Sequence, residues 1–234
     1  MGSGTKAVAL GAAGMWLVFA AASAHADEVR AVPDRTAISL RTTLGPGFGS
    51  ANEHEVRSGL SLSKLFIVDY ALRHGDGSAL DYSLSERMIR DSDDAAAGEL
   101  DARYPQAIEV TAREYGLRET HPGPDWGSAT TSTADVADFL AAKQRTDPGS
   151  PIFGWMADAS ATAADGTEQD WGTARLPGVL GSKWGWSDFG PPEVASASFG
   201  PWFAVAAHTH GTGSDQTEDV LTAVPLIALA LLRW

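Results

Sequence analysis

The apolar positions of this chain change character three times along its length. Residues 7–22 are continuously apolar, follow a single base, Lys6, and end on Ser23-Ala24-His25-Ala26. A run of about 16 residues is short of the ~20 a spanning helix needs, and a small-residue Ala-x-Ala pattern directly behind it predicts an export signal cleaved before Asp27. The middle of the chain then reads as mostly helical. Residues 36–43 alternate loosely, with Ile38 and Leu40 apolar, and predict a strand closed by the turn Gly45-Pro46-Gly47. Residues 60–74 are apolar on every side, which predicts a buried helix, stopped by Gly75-Asp76-Gly77. Further helices are predicted over 85–89, over 95–103 behind the capping run Ser92-Asp93-Asp94, over 106–115 up to Gly116, and over 134–143, where Ser132 and Asp135 have capping-box spacing.

After Pro151 the pattern turns to short strands, predicted over 178–184, 194–199 and 202–209 with Gly/Pro turns between them. A closing helix over 215–232 is bent at Pro225, and its apolar stretch from Val220 to Leu232 packs on the sheet instead of spanning a membrane. Strands at both ends and helices between them predict an α+β fold in which one antiparallel sheet is built from both halves of the chain and flanked by helices. Beyond the signal, residues 27–234 form a single domain, long enough to bury a substantial core unaided.

Composition narrows the partners. The 234 residues hold 30 acids against 17 bases, a formal charge of −13. Removing residues 1–26 takes away one base and no acid, so the exported chain carries −14. Phosphate backbones are repelled by such a surface, which argues against nucleic-acid binding. There is no cysteine, hence no disulfide, no thiolate metal site and no lipid-attachment cysteine.

One charge stands out inside the predicted buried helix. Lys64 lies in its first turn, and Ser61, three residues earlier, projects from the same face. Apolar surroundings favour the neutral amine, which can accept a proton. A serine hydroxyl becomes a nucleophile when a neighbour takes its proton. A helix N-terminus also aims backbone N–H groups at a developing oxyanion. Ser-x-x-Lys is common by itself. It gains weight because Ser92-Asp93-Asp94 follows at the start of an Ala-rich helix, and Lys183-Trp184-Gly185 falls on a predicted strand near the C-terminus.

The order Ser-x-x-Lys, Ser-Asp-Asn-like, Lys-Thr-Gly-like resembles the signature of the penicillin-recognising serine enzymes, the class A β-lactamases and penicillin-binding proteins. The stretches Ser61 to Leu72, Met88 to Leu100, Gly116 to His121 and Thr130 to Asp135 are similar to the corresponding parts of that superfamily. The resemblance implies a β-lactamase/transpeptidase-like fold and roles for the matching residues. Ser61 attacks a carbonyl and is acylated, Lys64 takes its proton, Ser92 relays a proton to the leaving nitrogen, and Lys183 holds the substrate carboxylate. Asp94, Trp184, Gly185 and Trp186 line the substrate site, and the N–H groups of Ser61 and Trp186 form the oxyanion hole. The implied partner is a β-lactam or a peptidoglycan stem peptide, with no metal and no cofactor, in a secreted or envelope-bound monomer.

Four departures bear on turnover. Asp94 stands where the family has Asn, so a carboxylate replaces an amide donor and, if close, raises the Lys64 pKa. Trp184 replaces a hydroxyl residue, and strand alternation sets it opposite Lys183. No Glu-x-x-Leu-Asn run supplies a base for deacylation, and neither Glu119 nor Asp125 matches a motif. Only 31 residues separate Ser61 from Ser92, which implies a reduced helical lobe. The expected activity is therefore acylation with slow or no deacylation. The alternatives are a non-catalytic cell-wall or protein-binding module on the same fold and a small-ester esterase. His208 and His210 share a strand face but lack a third ligand, and read as edge or surface residues. The eight tryptophans, Trp155, Trp171 and Trp202 among them, read as packing groups.

Overall fold

Alternation along Thr36–Thr42 (β1) and Phe203–Thr209 (β7) sets the two faces of the central sheet. The strands pair antiparallel, with Ile38 opposite Ala207 and Leu40 opposite Val205. Ile38, Leu40, Phe203, Val205 and Ala207 share one apolar cluster with Val220 and Ala223. Ala204 and Ala206 point the other way, into the larger cluster with the helices of the middle of the chain. Small side chains on this second face let the helices approach closely. Gly47–Gly49 (β2), Val194–Phe199 (β6) and Gly181–Trp186 (β5) complete a sheet in the order β2-β1-β7-β6-β5, antiparallel throughout, with β5 at an edge. A second pair, Arg57–Ser58 (β3) with Thr130–Thr131 (β4), sits apart from it. This computed structural model describes residues 32–232 apart from Pro46, and side chains as far as Ala223. The expected export signal and the bend at Pro225 lie outside the described residues and side chains.

The helices are Ser63–His74 (α1), Ala79–Arg90 (α2), Asp94–Arg103 (α3), Ala107–Tyr115 (α4), Thr133–Thr146 (α5), Pro151–Ala157 (α6) and Gly213–Leu232 (α7). The α+β architecture expected from the pattern is the one observed. Helix α1 is buried as predicted, with Leu65, Phe66, Ile67 and Val68 all in the core. It also carries a second buried charge, Asp69, which meets Lys143 of α5 at 2.8 Å and Arg73 at 2.8 Å. Lys143 is buried too and reaches Asp147 at 2.7 Å. Losing one member of such a buried pair strands the other, at a cost of roughly 3–5 kcal/mol, so the network fixes α1 against α5.

Several elements differ from expectation, among them the short strands β2, β3 and β4, which the pattern did not show. Helix α2 starts at Ala79, not at 85, because Ser78 caps it by accepting the Asp81 N–H. Its first turn is polar or exposed, so apolar periodicity did not reveal it. Helix α6 was not expected, although Pro151 at its first position suits a helix start. Strand β5 begins at Gly181 and extends to Trp186, later at both ends than the predicted 178–184.

His208 also departs from the edge or surface position expected of it. Strand β7 lies between β1 and β6, and His208 is buried, its Nε2 donating to the Ser58 carbonyl at 3.1 Å. Its Nδ1 has no partner among the described residues. Burial, reinforced by the Arg57 charge, pushes its pKa down to about 3. The native state then stays unprotonated while the unfolded chain takes up a proton, so this contribution is complete above about pH 6.5 and is lost as pH falls towards 3. Urea denaturation across that range should show the parent losing about 1.4 kcal/mol per pH unit more than His208→Gln. Equal pH slopes for the two proteins would refute this.

Candidate active site

The site begins at a strained turn. Residues Leu60–Leu62 form a 3-10 turn leading into α1, and Leu60 adopts φ 47°. A left-handed conformation costs a non-glycine residue roughly 1–2 kcal/mol, so other contacts must hold it. Gly59 N–H donates to the Ala129 carbonyl at 2.7 Å. The Ser63 hydroxyl donates to the carbonyls of Leu60 at 2.7 Å and Trp126 at 3.0 Å. These bonds present Ser61 at the head of α1, on the wall of a cleft of about 280 Å³. Among the described residues its hydroxyl makes no hydrogen bond within 3.5 Å.

One turn on, the Lys64 amine is buried and donates to the Ser92 carbonyl at 2.7 Å, to Asp94 Oδ1 at 2.5 Å and, more weakly, to Ser92 Oγ at 3.4 Å. The Trp126 ring lies 4.5 Å from the same amine. Burial holds the Lys64 pKa below the ordinary lysine value, and the bond to Asp94 opposes that shift without reversing it. The expected charge effect of Asp94 is thus present, and desolvation outweighs it.

Ser92 is the second strained residue, at φ 52°. A strap over residues 158–170 braces it. Ala164 N–H donates to the Asp91 carbonyl at 2.7 Å, and the Arg90 carbonyl accepts from Ser160 N–H and the Gln169 amide, both at 3.0 Å. The next residue, Asp93, caps α3 by accepting the Ala96 N–H at 3.0 Å. The Ser92 hydroxyl is thereby aimed at Lys183, whose buried amine donates to it at 2.7 Å and to the Trp184 carbonyl at 2.9 Å. Complete burial, then the nearby Lys64 charge, drives the Lys183 pKa well below the usual range.

Strand β5 closes the site. A Cβ on Gly185 would sit 2.7 Å from Ser61 N and 2.8 Å from Leu60 Cβ, so only glycine lets the strand approach the Leu60–Leu62 turn this closely. Ser187 N–H donates to the Glu193 carbonyl across the β5–β6 ladder. Alternation therefore turns the Trp186 N–H to the free edge, at the cleft that Trp186 and Ser61 both line. Trp184 is a correction: its indole N–H donates to the Trp171 carbonyl at 3.0 Å on the opposite sheet face, and it does not line the cleft.

The structure thus brings Lys64, Ser92, Asp94 and Lys183 into one hydrogen-bonded group beside Ser61. Glu119 and Asp125 stay outside the cleft lining. Asp125 bonds Ser128, and Glu119 accepts from Ser132 at 3.4 Å. The sequence reading missed Trp126, Glu193 and the strap. Trp126 sits in a Gly/Pro-rich loop with no periodicity, and only its proximity to Lys64 marks it. The cleft wall carries three carboxylates, Asp94, Asp188 and Glu193, and neither lysine nor arginine.

No protein-family model matches the chain, and no curated protein sequence matches it. Its architecture is nevertheless that of the serine β-lactamases and penicillin-binding proteins. It is similar to the β-lactamase of Streptomyces albus G (TM-score 0.65, 17% identity, covering 88% of this chain and 98% of that one). It is similar to the β-lactamase of Sphaerobacter thermophilus (TM-score 0.65, 16% identity, 88% and 98% covered). It is also similar to penicillin-binding protein D2 of Listeria monocytogenes in its cefotaxime-bound form (TM-score 0.58, 18% identity, 83% and 96% covered).

The contact at Gly185 gives a direct test of how tightly β5 sets the nucleophile turn. Gly185→Ala should lower unfolding stability by roughly 1–3 kcal/mol, as overpacking does. It should also shift amide chemical shifts at residues 60–62. Unchanged stability and unchanged shifts would show that the approach is not tight.

Proposed function

We propose that Ser61 is the nucleophile of an acyl-transfer site that accepts β-lactams or D-Ala-D-Ala-type peptides, and that its acyl-enzyme is hydrolysed slowly. The observation that carries this reading is the Ser92 hydroxyl held between two buried amines, Lys64 and Lys183, with Ser61, one turn before Lys64, on the wall of the cleft. Neutral Lys64 takes the Ser61 proton as Oγ attacks the carbonyl. The N–H groups of Ser61 and Trp186 receive the oxyanion. The proton passes from Lys64 to Ser92 and on to the leaving nitrogen, while Lys183 keeps the Ser92 hydroxyl oriented. Serine acyl transfer of this kind needs no cofactor.

The export signal expected over residues 1–26 and the β-lactam bound in the Listeria structure together favour peptidoglycan stem peptides as the natural acyl donors. We place the mature protein in the secreted or envelope compartment, working as a monomer. Among the described residues no helix is long and apolar enough to cross a membrane. Small neutral esters are a second reading, favoured by the carboxylate-lined wall without a lysine or arginine, which repels anionic substrates.

A fluorescent penicillin followed by intact-mass and peptide mass spectrometry tests the first reading. An adduct on Ser61 is expected, absent in Ser61→Ala and at least ~100-fold slower to form in Lys64→Ala. No adduct on the parent, under conditions that label a control penicillin-binding protein, would overturn it. Release of nitrophenol from acetyl esters by that same unlabelled parent would move the conclusion to the second reading.

A further inference from the structure

Hydrolysis of an ester on Ser61 requires a base that holds a water against the acyl carbonyl. Three carboxylates line the cleft, and they are not equivalent. Glu193 accepts from the Ser58 hydroxyl at 3.1 Å and faces His208 at 3.3 Å. Asp188 makes no hydrogen bond among the described residues, and its neighbour Phe189 is 92% exposed. Asp94 alone is both fixed and accessible. It occupies the first position of α3, directly after the cap residue Asp93. Its Oδ1 is locked at 2.5 Å from Lys64, yet 57% of the side chain remains open to solvent.

We propose that Asp94 is the general base that hydrolyses the acyl-enzyme, a role that rests on acylation at Ser61. The water oxygen bonds to the acyl carbon while Asp94 takes one water proton. The oxyanion forms against the Ser61 and Trp186 N–H groups. Collapse breaks the bond from the acyl carbon to Ser61 Oγ and releases the carboxylic acid. The proton on Asp94 moves to Lys64 across their contact, and Lys64 returns it to Ser61 Oγ, so both groups end as they began. The same contact explains why the step is slow: a carboxylate engaged by an amine is a weaker base than a free one.

Asp94→Asn keeps the size of the side chain and removes the basicity. Purified parent, Asp94→Asn and Asp94→Glu would be labelled with benzylpenicillin, and adduct formation and decay followed by mass spectrometry. The adduct half-life in Asp94→Asn is expected to lengthen about a hundredfold, the lower range for a positioned general base. Asp94→Glu is expected to restore decay to within about tenfold of the parent. Decay in Asp94→Asn as fast as in the parent would overturn the proposal while leaving acylation standing. So would a folded Asp94→Asn that does not label, because Asp94 would then serve the first step. A parent that never labels would remove the acylation reading itself, and this role with it.

Discussion

Two buried lysine amines converge on one serine hydroxyl, and the rest of the site is arranged to make that tolerable. The amines of Lys64 and Lys183 lie no more than about 6 Å apart, since both contact Ser92 Oγ. If both were charged, their repulsion would be on the order of 3 kcal/mol even at a generous effective dielectric, on top of the desolvation of each. Among the described residues one carboxylate, Asp94, bonds to Lys64, and no acid bonds to Lys183. Burial lowers the pKa of both amines, the Lys64 charge adds to that at Lys183, and the bond to Asp94 partly offsets it at Lys64.

Holding those groups together takes contributions from distant parts of the chain. Helix α1 brings Ser61 and Lys64, the start of α3 brings Ser92 and Asp94, and β5 brings Lys183 from more than a hundred residues away. Each is pinned separately: α1 by the buried Asp69–Lys143 pair, Ser92 by the carbonyl bonds of the 158–170 strap, and β5 by its close approach at Gly185. Among the described residues the two non-glycine positions with positive φ are Leu60, next to Ser61, and Ser92, whose hydroxyl meets both amines. Strain of this kind persists only where surrounding contacts over-determine it, and both positions are so held.

Much of this was legible in the sequence, and what was not has physical reasons. The α1 helix showed because its apolar residues leave no polar face, so that Lys64 stood out. Ser92 and Lys183 showed because their order and local settings match a known motif set. Strand alternation correctly put Lys183 and Trp184 on opposite faces, but it could not say which face was the cleft. Helix α2 was cut short because its first turn is held by the Ser78 cap and by Asp81, which bonds Arg103 and Tyr104, and not by apolar spacing. The strap and the Trp126 ring act through tertiary contacts with residues 62 to 79 positions away, and no local pattern encodes such contacts.

The departures from the family motifs are therefore not of one kind. Trp184 removes a hydroxyl from the motif, but its ring packs against Trp171 across the sheet, so the cleft is not blocked. Among the described residues no lysine or arginine lines the cleft. Asp94, read from sequence, looks like damage to the base. In the fold, burial still holds the Lys64 pKa below the ordinary lysine value, and the carboxylate stands accessible on the same cleft wall as Ser61, which neither Glu119 nor Asp125 lines. The two substitutions differ in place: Trp184 lies off the cleft, whereas Asp94 lies on its wall in contact with Lys64.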